Sequence, residues 1–216
     1  MPSETNNNNL IEIRKISLTI GLIVNHVVVL EILNYINLLF QTNFTLTSDD
    51  PRSYIFFNDK QHPEFDIKLI AIKSNDVNML LNNDFINGVI CFNNKIEEEN
   101  FNLIKYETLT KPNSKIAVIS KQDFNLDKNR KIVIFSEYLA LTYKYIRENN
   151  INAKILETKG KSESYLINGL CDLCVCAVET GNTIKANNCV IFSVLLESEI
   201  CLYFQTEIFT KIRTKI

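Results

Sequence analysis

Apolar and polar positions follow two periods along this chain. Over residues 162–170, Tyr165, Leu166 and Leu170 recur at helical spacing and Gly169 closes the stretch. Residues 173–178 are a continuous apolar run of strand length. The small polar turn Glu179-Thr180-Gly181-Asn182-Thr183 follows, and then an amphipathic stretch over 184–187. Tyr138, Leu141, Tyr145 and Ile146 give helical spacing to 138–149. The same reading predicts strands at 15–18, 53–58, 65–72, 88–92, 115–120, 131–135, 153–156, 173–178 and 190–204. It predicts further helices at 23–40, 76–82 and 96–100, and one starting near 183. Strands alternating with helices imply α/β layers with parallel pairing. Ligands in such folds sit outside the carboxyl ends of strands, which is where 179–183 falls.

Composition supports a folded chain and removes several function classes. Of 216 residues, 46% are hydrophobic and 22% charged, as in globular rather than disordered proteins. A formal net charge of −2 gives no electrostatic case for nucleic acid as a partner. Any anion site must therefore come from local geometry. The strongly apolar stretch 16–40 is interrupted by Asn25, His26, Glu31, Asn34 and Asn37. Such residues are costly in hydrocarbon, so a strand and an amphipathic helix are expected there and no membrane span. Residues 1–9 are polar and lack the basic start and apolar core of a secretory signal, so a cytoplasmic protein is expected.

Candidate chemistry concentrates at the turn. Backbone N–H groups at a helix start lack intrahelical partners and carry partial positive charge. Gly181 allows a phosphate to approach closely, and Thr180 and Thr183 add hydroxyl donors. An ordinary capped turn is the plainer reading of the same five residues. Cys171, Cys174 and Cys176 resemble a metal cluster in spacing, but they sit in an apolar strand context without a nearby His. All six cysteines are therefore expected to be reduced, metal-free and packed as small hydrophobes. His26, on an apolar helix, and His62, in a polar loop, are expected to be structural.

Glu163, Gly169 and a strand ending in Glu-Thr-Gly-x-Thr resemble the signature of ATP phosphoribosyltransferases. Gly160 and Glu163 fit that family's Gly-x-x-Glu, and Ser136-Glu137-Tyr138 fits its strand followed by Ala-Thr-Glu/Lys-Tyr. Asp50-Pro51-Arg52 resembles its Asp-x-Arg. Residues 67–76 resemble its apolar strand followed by Arg-x-x-Asp, with Lys73 in place of Arg and Asp76 in register. The resemblance implies two α/β domains with a cleft between them, like periplasmic binding proteins. With a crossing near residue 108, the first domain would comprise 1–107 plus 187–216 and the second 108–186.

The implied activity transfers phosphoribosyl from phosphoribosyl pyrophosphate (PRPP) to N1 of ATP with release of pyrophosphate, the first step of histidine biosynthesis. The implied PRPP-binding residues are Glu179, Thr180, Gly181, Asn182 and Thr183. Gly21, Arg52, Lys73, Asp76 and Glu163 are implied as further substrate contacts. Mg²⁺ would be carried by the substrate phosphates. Members of this length work with a histidyl-tRNA-synthetase-like regulatory subunit, which implies a hetero-oligomer.

Several positions depart from the family pattern. Its Pro-Lys-Gly-Arg reads Thr19-Ile20-Gly21-Leu22 here, without either cation. The acidic residue usual three positions before Glu179 is Cys176, and the Gly-x-Asp after the strand at Gly88 reads Cys91-Phe92-Asn93. Charge-assisted contacts are about twice as strong as neutral ones. The departures thus leave a second expectation, a binding or structural subunit of the same fold with weakened or lost catalysis. A periplasmic-type small-molecule binding protein is a third, and the lack of an export signal counts against it.

Overall fold

The computed structural model describes residues 15–23, 26–46, 56–58, 62–112, 114–127 and 129–215. The elements in chain order begin with β1 (Ile16–Leu22), α1 (His26–Leu39), β2 (Phe44–Leu46), β3 (Phe56–Asn58) and β4 (Phe65–Ala71). A single 3₁₀ turn (Ser74–Asp76) leads into α2 (Val77–Asn82), followed by β5 (Gly88–Phe92), α3 (Asn93–Glu99) and β6 (Ile104–Thr108). Then come β7 (Ser114–Lys121), β8 (Ile132–Ser136), α4 (Leu139–Glu148), β9 (Ala153–Glu157) and α5 (Ser162–Ile167). The chain continues with β10 (Leu173–Val178), α6 (Asn182–Ala186), β11 (Cys189–Ser198), β12 (Ile200–Phe204) and α7 (Thr206–Arg213). Ten of the described strands make two five-stranded mixed sheets, and β2 pairs antiparallel with β3 in a two-stranded one. One five-stranded sheet comprises β1, β4, β5, β6 and β12, and the other runs in the order β11-β7-β10-β8-β9.

Two compact units emerge, one taking in Met1–Gly88 and Gln205–Ile216, the other Val89–Phe204. In the first, β1 pairs in parallel with β4, Ile16 opposite Phe65 through Leu22 opposite Ala71. Val29, Ile32, Leu33 and Ile36 on α1 are buried at helical spacing, which explains why that apolar stretch folds as a core helix. Asn87 holds this unit together by imitating a strand. Its Nδ2 donates to Ser17 O at 2.9 Å, its Oδ1 accepts from Thr19 N at 3.0 Å, and its own N–H donates to Thr19 O at 2.9 Å.

In the second unit, β7 and β10 are central and antiparallel, with Leu173 opposite Ser120 and Val178 opposite Lys115. β10 also runs parallel to β8, and β8 to β9. Side chains alternate between two buried faces. Ala117, Ile119, Cys174, Cys176 and Val178 pack with Leu166 of α5 and Ile184 of α6. Ile116, Val118, Leu173 and Val175 pack on the other face with Ile132, Ile134 and Leu141 of α4. Being buried on both faces is what gives 173–178 its unbroken apolar run.

The C-terminal region departs from the sequence reading. The single strand expected at 190–204 is two strands, β11 and β12, separated at Glu199. β11 pairs with β7, so the return to the other sheet begins at β12 rather than at residue 187. The compact units divide at 88/89 and 204/205. β2, β6 and α7 lack counterparts in the expected elements.

The β11–β12 break is held by side-chain chemistry. The Glu199 carboxylate accepts from Lys105 Nζ at 2.5 Å, Thr108 Oγ1 at 3.3 Å and Cys201 Sγ at 3.5 Å. The hydrogen bond from the Lys105 ammonium holds the Glu199 carboxyl below the ordinary carboxylate range, against a smaller opposing effect of burial. The folded pKa thus lies below the unfolded value of about 4.3. The stabilisation is fully present above that value and is lost as pH falls through the folded pKa. Urea denaturation at a series of pH values should therefore show Glu199→Gln flattening the acid side of the stability profile. An identical acid profile in the variant would mean this cluster does not contribute.

Candidate functional site

The apolar register fixes where β10 ends. Val178 is buried and Glu179 and Thr180 emerge into solvent. Gly181 then takes φ +71, in the left-handed region that side-chain-bearing residues rarely adopt, and caps α6. The first α-helical bond of α6 runs from Lys185 N to Gly181 O at 3.0 Å. Asn182 N donates to Thr180 Oγ1 at 3.4 Å, which folds the threonine hydroxyl over the turn. The N–H groups of a first helical turn have no intrahelical acceptor. They open here at the carboxyl end of a buried strand.

A cavity of about 260 Å³ is lined by Glu163, residues 176–178, the whole turn 179–183 and Ile184. The fold thus brings Glu163, sixteen positions before Glu179, to the same cavity as the turn. α5 carries Glu163, and its start is pinned from another strand. Gly160 and Lys161 both have positive φ, and the Lys161 side chain provides no cap. Instead the Glu137 carboxylate, just past β8, accepts from Ser162 N at 3.1 Å and Ser162 Oγ at 2.8 Å. Ser162 is fully buried, and Glu137 N donates to Val175 O of β10 at 3.1 Å.

A second carboxylate cap serves α4. Glu98 of α3 accepts from Ala140 N and Leu141 N, both at 3.0 Å. Between these caps stands Tyr138, whose phenol pKa is pushed up to about 12 by burial and then by Glu137, Cys176 and Glu98. It stays a neutral hydroxyl at physiological pH, within electrostatic reach of a residue that lines the cavity. Glu98, Glu137, Tyr138 and Ser162 were not among the site residues anticipated from sequence. Ser136-Glu137-Tyr138 at a strand's carboxyl end was the available signal for two of them.

The remaining anticipated contacts lie outside the second unit's described residues. Arg52 lies outside the described residues. Lys73 and Asp76 belong to the other compact unit, where both are exposed and Asp76 N donates to Lys73 O at 3.0 Å. Gly21 is buried in β1, where an added Cβ would run into Ile72 Cδ1 and come 3.3 Å from Ile86 Cδ1. Its missing side chain therefore serves packing. Ile20 and Leu22 are 0% and 3% exposed. Lysine or arginine at these positions would bury unpaired charge, which is costly. The cysteines are all buried. Burial raises the Cys91 pKa to about 12 and the Cys171 pKa to about 11. A hydrogen bond with Cys176, then burial, pushes the Cys174 thiol well above its ordinary value. Protonated thiols are poor nucleophiles and poor metal ligands.

Glu137→Ala should leave the buried Ser162 N–H without its acceptor and the hydroxyl with only its longer contact to Val175 O at 3.4 Å. An unmet buried donor costs about 1–3 kcal/mol. Urea denaturation should register a loss of that size, with faster amide exchange in α5 than in α4. Unchanged stability and exchange would show that α5 is fixed by its apolar face alone.

Comparisons with known proteins bear on this geometry. The family model "HisG: ATP phosphoribosyltransferase" matches residues 73–216. The curated ATP phosphoribosyltransferase of Clostridium botulinum (strain ATCC 19397 / Type A) is 28% identical over 185 residues, covering 85% of this chain and 83% of that protein. That of Dictyoglomus thermophilum is 30% identical over 122 residues, 56% of this chain and 59% of that protein. Among solved structures, the ATP phosphoribosyl transferase (HisG:HisZ) complex from Thermotoga maritima superposes with a TM-score of 0.68 at 19% identity, over 92% of each chain. Tv2483 bound to L-arginine gives 0.50 at 12% identity, covering 92% of this chain and 82% of that one. At such identities both likenesses speak for the fold alone. The family model spans well over half of the sequence and takes in the turn, Glu163 and the strand between them, and the chain belongs to the ATP phosphoribosyltransferase family.

Proposed function

We propose that this chain transfers the phosphoribosyl group of PRPP to N1 of ATP, the opening reaction of histidine biosynthesis. One observation carries the reading: Glu163 and the entire 179–183 turn line a single cavity at the carboxyl end of β10. In the reaction a bond forms between N1 and the ribose anomeric carbon as the bond from that carbon to pyrophosphate breaks. No covalent protein nucleophile is required, so catalysis consists of orientation and charge stabilisation.

The turn holds the 5-phosphate through its backbone N–H groups and the hydroxyls of Thr180 and Thr183. Glu163 and Glu179 are acceptors for ribose hydroxyls, a task that Cys176 performs poorly as a weak acceptor. Mg²⁺ carried by the substrate phosphates would neutralise the departing pyrophosphate, and the two carboxylates fit a cation held mainly by phosphate oxygens and water. The chain acts in the cytoplasm as a hetero-oligomer with a histidyl-tRNA-synthetase-like regulatory subunit. The Thermotoga maritima chain that shares this fold belongs to a HisG:HisZ complex. Among the described residues, no helix is long and apolar enough to cross a membrane.

The buried Ile20 and Leu22, with Cys176 at the cavity, favour the second reading, a subunit that binds substrate but turns it over weakly or not at all. The two readings separate in one experiment. Phosphoribosyl-ATP formation is measured from ATP, PRPP and Mg²⁺ with and without the partner, alongside calorimetry of PRPP binding to the wild type and to Gly181→Val. The enzyme reading expects product, most strongly with the partner present. It also expects at least a tenfold loss of PRPP affinity in Gly181→Val, because the side chain fills the phosphate's approach and β-branching disfavours φ +71. Binding without product selects the second reading, and unchanged affinity in the variant rejects the turn as the phosphate site.

A further inference from the structure

The turn has two sides, and its second side faces another cavity. This one measures about 320 Å³ and shares Val178, Glu179, Thr180, Gly181 and Ile184 with the first. Its remaining walls are Lys115 of β7, Lys185 of α6 and the start of β11, Cys189–Ile191. It lacks Glu163 and Cys176, so the two cavities share the turn but are differently furnished. Val178 and Ile184 make a buried apolar floor, while Val190 and Ile191 remain 39% and 38% exposed. Lys115 and Lys185 line the same cavity as these apolar side chains. Two carboxylates lie in the neighbourhood: Glu179 on the cavity lining, and Glu197, the register partner of Lys115 on β11.

We propose that this cavity is an effector site for a small organic monoanion with a flat apolar body. The volume is in the range of small-ligand pockets. The apolar floor and the half-exposed Val190 and Ile191 supply the burial that an aromatic body seeks. Lys115 and Lys185 supply the countercharge, and the two nearby carboxylates make a polyphosphate a poor occupant. An anion here draws the field of the two lysines away from the far side of the turn. It therefore weakens phosphate binding there, and by linkage a bound phosphate weakens the effector to the same degree. This coupling rests on the phosphate reading of the turn, whereas occupancy of the second cavity does not.

Naphthalene-2-sulfonate is the probe, read by ¹H–¹⁵N spectra of the full chain. The amides of Gly181, Ile184, Val190 and Ile191 should shift and saturate together. Lys115→Gln and Lys185→Gln should each weaken the probe by about two- to fivefold, and the double variant by about tenfold, as expected of partly exposed charge contacts. Unshifted resonances of β8 and β9 would show that the variants keep their fold. The uncharged 2-naphthalenemethanol should bind more weakly and ignore both substitutions. Saturating PRPP should weaken the probe at least twofold, and the probe should weaken PRPP by the same factor. Shifts centred elsewhere, no saturation, or a double variant with wild-type affinity would overturn the cavity assignment. Probe and PRPP binding without mutual effect would overturn the effector role. Probe binding without any PRPP binding would reject the phosphate reading and the coupling, leaving the cavity assignment in place.

Discussion

The burial of β10 on both faces is the constraint from which the site follows. Flanked by β7 and β8, Leu173–Val178 has little freedom to slip, because a one-residue shift would exchange the side chains of its two packed faces. The strand therefore ends at a fixed place. The next residues must leave the sheet, and Gly181 at φ +71 lets them turn at once into α6. Ile184 and Leu166 bury α6 and α5 against the same face, so Glu163 and the turn meet because the core beneath them is continuous.

Polar contacts refine what apolar packing fixes. The Glu137 carboxylate ties α5 to the end of β8 through Ser162, and its own N–H ties that loop to β10. Three segments distant in sequence are thereby held at one end of the sheet. Tyr138 stays a neutral hydroxyl beside these carboxylates. Cys174 and Cys176 sit in the packed face, their buried thiols serving as core atoms. Position 176 thus remains apolar where the family pattern places an acid.

Much of this was legible in sequence where one physical signal dominated. The run 173–178 is identical to β10 because burial on both faces removes polar alternation. Gly169 ended the preceding helix and has φ +74. What was not legible depended on partners. β6, Ile104–Thr108, alternates with charged residues and owes its strand to pairing with β12. The break at Glu199 contains neither Gly nor Pro and is held by Lys105 and Thr108, some ninety residues earlier in the chain. Gly21, a substrate contact by resemblance, also makes room for Ile72. Ile20 and Leu22 stand where the family pattern has cations, and both side chains are buried here.

The central claim is that the amides of the 180–184 segment bind a sugar phosphate. Amide hydrogen exchange with and without ribose 5-phosphate tests it most directly, since this ligand carries the phosphate but neither the pyrophosphate nor the base. The account predicts slower exchange confined to the turn and the first residues of α6, with Glu163's helix α5 following as ribose engages the cavity. Protection elsewhere in the chain, or none at the turn at ligand concentrations that saturate binding, would contradict it.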